Sequence, residues 1–177
     1  MDLLQDGASY VIQGPNNLSL VCNPSTNTAT IDYVNNAAVQ PEQIWEAKAM
    51  RGKSTGEMSG FFLMNRIKST GHAWCLAATN PGRSGGPMGP PPRGSSVYMV
   101  DIQGADDYAI WTPNTTGHPN GELSLTNLMS FSGRSGPSLV LNVAGNSWQP
   151  NGRLIVWEWS GGEPNEIWWF QSNFKPA

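Results

Sequence analysis

Residues 138–170 read SLVLNVAGNSWQPNGRLIVWEWSGGEPNEIWWF, and this stretch decides the fold. Its first six residues, Ser138–Val143, are typical of a half-buried strand. A turn rich in Gly, Asn and Pro follows at Gly145–Gly152, and a second apolar strand is predicted at Leu154–Trp159. A strand, a turn and a strand form the signature of a β-hairpin. The block Glu166–Trp168 then ends the unit.

An Ile-Trp pair that follows polar residues occurs three times in the chain. The three blocks are Gln43-Ile44-Trp45, Ala109-Ile110-Trp111 and Glu166-Ile167-Trp168. Their tryptophans lie 66 and 57 residues apart, so three units of this size fill the 177 residues. The spacing therefore predicts a closed set of three repeats, at approximately 8–57, 58–118 and 119–174, and not an open array.

Each repeat contains four short segments typical of strands. The second strand of the first repeat, Ser19–Asn23, matches Ser138–Asn142 at four of five places. Third strands are predicted at Ala29–Val34, Ser96–Asp101 and Leu154–Trp159. One or two hairpins cannot bury an apolar face alone, so the repeats must share one core. We predict an all-β fold of twelve short antiparallel strands in a single domain, residues 1–177.

The composition supports this interpretation and excludes several classes of partner. Charged residues make up only 13% of the chain, whereas there are 20 Gly and 14 Pro, which favours many turns. The net charge of −3 argues against nucleic acid or an anionic membrane as a partner. No apolar run is long enough to span a bilayer. Residues Met1–Asp6 lack the basic and apolar regions of a signal peptide, so we expect a cytoplasmic protein, or one released by an unusual route.

The two cysteines and two histidines do not have the spacing of metal ligands. Cys22 and Cys75 lie in apolar, strand-like segments, and two buried thiols are favoured over a disulfide. No metal or cofactor is expected.

One motif that looks catalytic lies in the wrong context. Gly82–Gly86 matches the GxSxG pattern of a hydrolase, which requires a turn from a strand to a helix. Here the pattern lies within the Pro/Gly-rich loop Asn80–Ser95, which has no helical periodicity. His72 and His118 are predicted to be surface or strand residues and not general bases. We therefore predict no catalytic residues and no enzyme.

Three Trp blocks, each ending a four-strand unit, resemble the ricin B-type, or QxW, lectin family. The family's Gln-x-Trp is kept in Gln43-Ile44-Trp45, whereas Ala109 and Glu166 replace the glutamine in the other repeats. The resemblance covers nearly the whole chain and is strongest in the third repeat. It implies a β-trefoil, a six-stranded barrel capped by three hairpins, and a non-catalytic agglutinin. The family commonly binds galactose or N-acetylgalactosamine, and its cytosolic members are found in fungi, where a role in defence is expected.

The resemblance also places a sugar site in the third repeat. Sugars need an aromatic plane for their C–H face and planar polar groups for their hydroxyls. The family takes these from the end of the second strand, from just after the third strand and from just before the Trp block. Those places are Asn142, Trp157 and Asn165, with Asn142 where the family usually has Asp. Three residues nearby are candidates for contacts that shift specificity, namely Trp148, Asn151 and Glu158.

The other repeats match the site pattern less well. The first repeat offers Asn23 and Tyr33, with Asn35 or Asn36 as further candidates. The second offers Ala77 with Val100 or Met99, so binding in the family manner is not expected there, and the alternatives are Tyr98, Asp101 and Tyr108. Alternatives exist for the third repeat too, since Trp157 could be a packing residue or a dimer contact. Asn142 could instead cap a turn.

Two functions follow as hypotheses. The first is a lectin that binds glycans mainly through the third repeat. A single shallow site gives affinities of roughly 0.1–1 mM, so we expect a homodimer or several sites per chain. The alternative is a β-trefoil protease inhibitor that acts through the loop at residues 80–95.

Overall fold

The computed structural model describes residues 4–51, 59–67, 71–79, 89–115, 121–131 and 137–177. Twelve strands in these residues fall into three sets of four, as predicted. The first repeat contains Ser9–Gln13 (β1), Leu18–Asn23 (β2), Thr28–Tyr33 (β3) and Ile44–Arg51 (β4). The second contains Ser59–Asn65 (β5), Trp74–Ala78 (β6), Val97–Asp101 (β7) and Ile110–Asn114 (β8). The third contains Ser124–Asn127 (β9), Leu139–Val143 (β10), Gly152–Glu158 (β11) and Trp169–Gln171 (β12).

Helical segments are short wherever the structure describes the chain. One turn of α-helix, Leu128–Phe131 (α1), follows β9. Short 3₁₀ turns lie at Pro15–Asn17, Pro41–Gln43, Ile102–Gly104, Asp107–Ala109 and Ala144–Asn146. Within the described residues, no helix has the length and apolar character needed to cross a membrane.

The first and fourth strands of the three repeats form a closed barrel. β1 pairs with β4 and β12, β5 pairs with β4 and β8, and β8 pairs with β9, all antiparallel. A bridge between Leu123 and Trp168 joins the ends of β9 and β12, with two backbone hydrogen bonds of 2.8 Å. Closure leaves the barrel strands with neighbours on both sides, so they present no free edge.

The second and third strands of each repeat form a hairpin, and the three hairpins contact one another. Arg153 pairs with Thr30 and Thr28 with Tyr98, while Ser96 bridges to Ile155. The contact between the hairpins of the third and first repeats requires a glycine at position 152, because a Cβ atom there would lie 2.8 Å from the side chain of Ile31. A six-stranded barrel with three hairpins in mutual contact is the β-trefoil that the resemblance implies.

The repeated tryptophans lie at the centre of the core, as expected for Trp168. All three are fully buried, with 0% of their surface exposed. Each indole N–H donates a hydrogen bond to a leucine carbonyl on the second strand of its own repeat. The bonds are Trp45 to Leu20 (3.0 Å), Trp111 to Leu76 (2.8 Å) and Trp168 to Leu141 (3.3 Å).

These bonds correct the alignment of the first repeat with the third. Leu20 corresponds to Leu141 and not to Leu139, so the sequence alignment of β2 with β10 is shifted by two residues. The three contacts between hairpins give the same correspondence, since they place Thr30, Tyr98 and Ile155 at equivalent positions. A shift of two keeps each side chain on the same face of its strand, and the apolar pattern therefore cannot reveal it.

The two cysteines are free and buried, and the prediction of two thiols is confirmed. Burial raises the pKa of Cys22 to about 12, and the negative charge of Glu42 acts in the same direction. Burial likewise raises the pKa of Cys75 to about 12, with Asp101 contributing. Both thiols therefore stay protonated at neutral pH.

A thiol-reactive disulfide reagent, 5,5′-dithiobis(2-nitrobenzoate), is expected to leave the native protein unmodified for many minutes at pH 8. The thiolate is the attacking form, and neither sulfur ionises or reaches solvent. The same reagent should titrate both thiols once guanidinium chloride has unfolded the chain. Rapid reaction of one thiol in the native state would contradict the burial of that residue.

Candidate functional site

An open cleft of about 370 Å³ lies on the third repeat. It is lined by Asn142, Gly145, Asn146, Ile155, Trp157 and Asn165. Three of the predicted site residues, Asn142, Trp157 and Asn165, thus lie together. Two further clefts in the described structure, of about 210 and 380 Å³, have no exposed aromatic side chain in their linings.

The register of β10 and β11 places Asn142 and Trp157 on one face. Asn142 lies opposite Ile155, and Val140 lies opposite Trp157. Residues two apart in a strand share a face, so Ile155 and Trp157 both project on the side of Asn142. Trp157 is therefore a diagonal neighbour of Asn142, with Cα atoms roughly 7–8 Å apart. One sugar ring could contact both side chains.

The loop before β12 brings Asn165 to this face. The backbone N–H of Val143 donates to the Asn165 carbonyl at 2.8 Å, which ties the loop to β10. The side-chain Nδ2 of Asn165 donates to Oδ1 of Asn142 at 3.0 Å. Asn142 is therefore bonded to the opposite loop and not to the backbone of a turn. Among the described residues, the amide nitrogen of Asn142 and the amide oxygen of Asn165 have no partner, so one NH₂ group and one carbonyl oxygen remain for a ligand, although only 2% of the Asn142 surface is exposed.

Trp157 is a partly exposed ring at the edge of the cleft, with 36% of its surface accessible. The guanidinium of Arg93 lies 4.1 Å from the centre of the ring. Gly94 is also close, since a Cβ atom there would lie 3.4 Å from the indole. These contacts hold the ring in place while part of it stays accessible.

The three residues predicted to shift specificity lie in different places, and none of them lines the cleft. Trp148 turns inward, packs edge-on against Trp168 with ring centres 5.2 Å apart, and does not line the cleft. Asn151 lies in the hairpin turn, where its backbone N–H donates to Ile31 at 2.8 Å. Glu158 lies outside the cleft lining but forms an ion pair with Arg93 at 3.2 Å.

The two residues predicted in the first repeat do not come together. Asn23 pairs with Thr28 beside the turn, whereas Tyr33 pairs with Leu18 at the other end of the hairpin. The carboxamide of Asn23 accepts a bond from the Ser25 hydroxyl at 2.8 Å, and Tyr33 is 64% exposed. With the corrected alignment, the first repeat has Val21 and Asp32 where the third has Asn142 and Trp157. A cleft of the third repeat's kind is therefore not formed by Asn23 and Tyr33.

In the second repeat, the equivalent positions are apolar and buried. Ala77 and Val100 replace Asn142 and Trp157, and both belong to a second apolar cluster outside the main core. Tyr108 replaces Asn165, and its hydroxyl donates to the carbonyl of Gly89. The described part of the loop after β6 thus covers this position.

Sequence reasoning missed Asn146 and Arg93. Asn146 follows Gly145 in a turn where both have left-handed φ angles, +53° and +64°. The Gly-Asn pair was a recognisable turn signal beside Asn142. Arg93 had no such signal, because it comes from another repeat.

No group of three or more His, Cys, Asp or Glu that could hold a metal occurs among the described residues.

No protein-family model matches the chain, and no curated protein sequence does. Solved structures do match. The ricin B-like lectin of Macrolepiota procera, in complex with lactose, has a TM-score of 0.62 at 15% identity, covering 95% of this chain and 97% of that one. The designed threefold symmetric protein ThreeFoil has a TM-score of 0.60 at 17% identity, with coverage of 92% and 96%.

A third match is the Polyporus squamosus lectin bound to the epitope Neu5Aca2-6Galb1-4GlcNAc. Its TM-score is 0.60 at 12% identity, covering 96% of this chain and 50% of that one. At these identities the similarity shows the fold alone. The chain is a β-trefoil, similar in structure to ricin B-like lectins.

Proposed function

We propose that this protein is a non-catalytic lectin that binds glycans of the galactose or N-acetylgalactosamine type through the cleft of the third repeat. One observation carries the proposal. A partly exposed tryptophan ring and a hydrogen-bonded pair of asparagines line the same open cleft. The ring supplies an apolar plane for the C–H face of a sugar, and the amides supply a donor and an acceptor for its hydroxyls.

The proposal of a galactose-type ligand has two supports. The resemblance of the Trp blocks to the QxW family implies it, and the similar Macrolepiota procera lectin is in complex with lactose. Asn142 is uncharged where that family usually has Asp, so each hydroxyl bond here is a neutral one. Neutral hydrogen bonds are about half as strong as charge-assisted ones, which favours weak single sites and binding by avidity.

A glycan array probed with the labelled protein is expected to show binding to galactose- or N-acetylgalactosamine-terminated glycans, and competition by free sugar at millimolar concentration. The millimolar scale follows from a single shallow site. Asn142→Ala is the test variant, since it removes the partner of Asn165 and should abolish the array signal. Circular dichroism must show that both proteins are folded. A folded wild-type protein that binds no glycan would refute the proposal.

The protease-inhibitor alternative gains no support from the described structure. Residues 80–88, with the GxSxG motif, lie outside the described residues. The described remainder of the loop is occupied by contacts within the molecule, from Gly89 to Tyr108 and from Arg93 to Trp157. Assays against papain and trypsin would test this alternative directly.

A further inference from the structure

A segment of the second repeat is built against the glycan cleft of the third. This cross-repeat segment, Arg93–Ser96, runs beside β11 like an added strand. Gly94 N–H donates to the carbonyl of Val156 at 2.8 Å, and Val156 N–H donates to the carbonyl of Ser95 at 3.0 Å. Nη2 of Arg153 adds a bond of 3.0 Å to the hydroxyl of Ser96. The backbone next to Arg93 is therefore fixed to β11 by the two residues that follow it.

Arg93 and Glu158 form an accessible pair next to Trp157. Nη1 of Arg93 donates to Oε1 of Glu158 at 3.2 Å, while the side chains are 52% and 40% exposed. The same guanidinium lies 4.1 Å from the centre of the Trp157 ring. Neither Arg93 nor Glu158 lines the cleft, whereas Trp157 does. Trp157 therefore contacts both the cleft and the charged pair.

The chemistry of this pair matches neighbouring hydroxyls of a neutral sugar. A guanidinium has five N–H donors and a carboxylate has about four acceptor sites, and a single bond between them leaves most of these available. A donor beside an acceptor fits two hydroxyls on adjacent carbons. The opposite charges balance, so the pair has no net charge with which to select an acidic sugar.

We propose that Arg93 and Glu158 form a second sugar subsite across Trp157 from the cleft, so that the site selects neutral glycans of at least two sugar units. The second repeat thus completes the binding site of the third. This inference rests on the lectin function proposed above.

The test compares galactose with lactose by isothermal titration calorimetry. The wild-type protein is expected to bind lactose about tenfold more tightly than galactose, since hydrogen bonds to charged groups are among the stronger ones. Arg93→Ala and Glu158→Gln should each reduce this ratio to about two or less. Arg93→Lys, which keeps the positive charge and an N–H donor, should restore part of it. Thermal melts of each variant check folding.

Arg66→Ala is the matched control, because Arg66 forms a comparable exposed ion pair with Glu46, at 2.7 Å, away from the cleft. It should leave both affinities unchanged. An unchanged lactose-to-galactose ratio in folded Arg93→Ala would overturn the subsite while the lectin function stands. Tighter binding of 3′-sialyllactose than of lactose, lost at high salt, would overturn the preference for neutral glycans. A wild-type protein that binds neither sugar would refute both the galactose-type lectin function and the subsite.

Discussion

Replacing Trp157 with alanine is expected to reduce glycan affinity by more than tenfold, about 1.4 kcal/mol or more. The ring is the exposed apolar plane of the cleft, and the variant leaves the amide pair without a surface beside it. Covering roughly 80 Å² of apolar surface contributes about 2 kcal/mol. A site that starts near millimolar affinity would then lie beyond detection. Titration calorimetry with lactose, supported by the glycan array, measures the loss.

Stability separates this explanation from a packing role. The buried part of Trp157 contacts Arg93 and Gly94, so truncation should cost only about 1 kcal/mol, the ordinary effect of a substitution. Trp157→Phe is the matched control, because it keeps an aromatic plane and should retain measurable binding. A loss of stability of several kcal/mol would instead identify Trp157 as core. Loss of binding in Tyr33→Ala, with Trp157→Ala unaffected, would move the site to the first repeat.

The strand order and the core of this β-trefoil could be predicted from the sequence, because both depend on local patterns that occur three times. The Ile-Trp blocks mark the fourth strands, and alternation marks the rest. The alignment within β2 and β10 was wrong by two residues for a physical reason. A strand has a period of two, so Leu20 can be aligned equally well with Leu139 or with Leu141. Only a contact from outside the strand, the indole bond of Trp45 or Trp168, selects one alignment.

The cleft of the third repeat was predictable in part. Asn142, Trp157 and Asn165 lie in one repeat, where spacing along the chain determines their arrangement. Trp148 shows the limit of such reasoning, since its aromatic ring near the site faces the core and packs on Trp168. Arg93 reaches Trp157 from 64 positions earlier in the chain, through a hairpin of another repeat. Contacts between repeats leave no periodic trace in the sequence.

In the described part of the second repeat, apolar residues occupy the positions of the sugar site, while the structural role of the repeat is intact. Ala77 and Val100 fill the place of the polar and aromatic groups, and both are buried in the second apolar cluster. Trp111 nevertheless keeps the same burial and the same indole bond as its two counterparts. The shared core and the binding site therefore depend on different residues of a repeat.

Trp111→Ala is expected to lower the free energy of unfolding by about 3–5 kcal/mol, as removal of a large buried aromatic ring does. The ring is 0% exposed and belongs to the core that all three repeats share. Truncation leaves a cavity that surrounding barrel strands cannot fill without breaking their pairing. For a chain of 177 residues this corresponds to a fall in melting temperature of about 10 °C. Urea unfolding followed by circular dichroism measures the change.

The matched variant Trp111→Phe divides this loss into its two causes. Phenylalanine keeps most of the buried volume but removes the 2.8 Å bond to the Leu76 carbonyl, so it should cost about 1–3 kcal/mol. The remainder of the alanine effect is the cavity. Because Trp111 belongs to the buried core and does not line the cleft of the third repeat, Trp111→Ala at a temperature where it is still folded should bind lactose as the wild-type protein does. A loss below about 1 kcal/mol would show that the second repeat does not share the core of the other two, and the threefold arrangement would be wrong at that point.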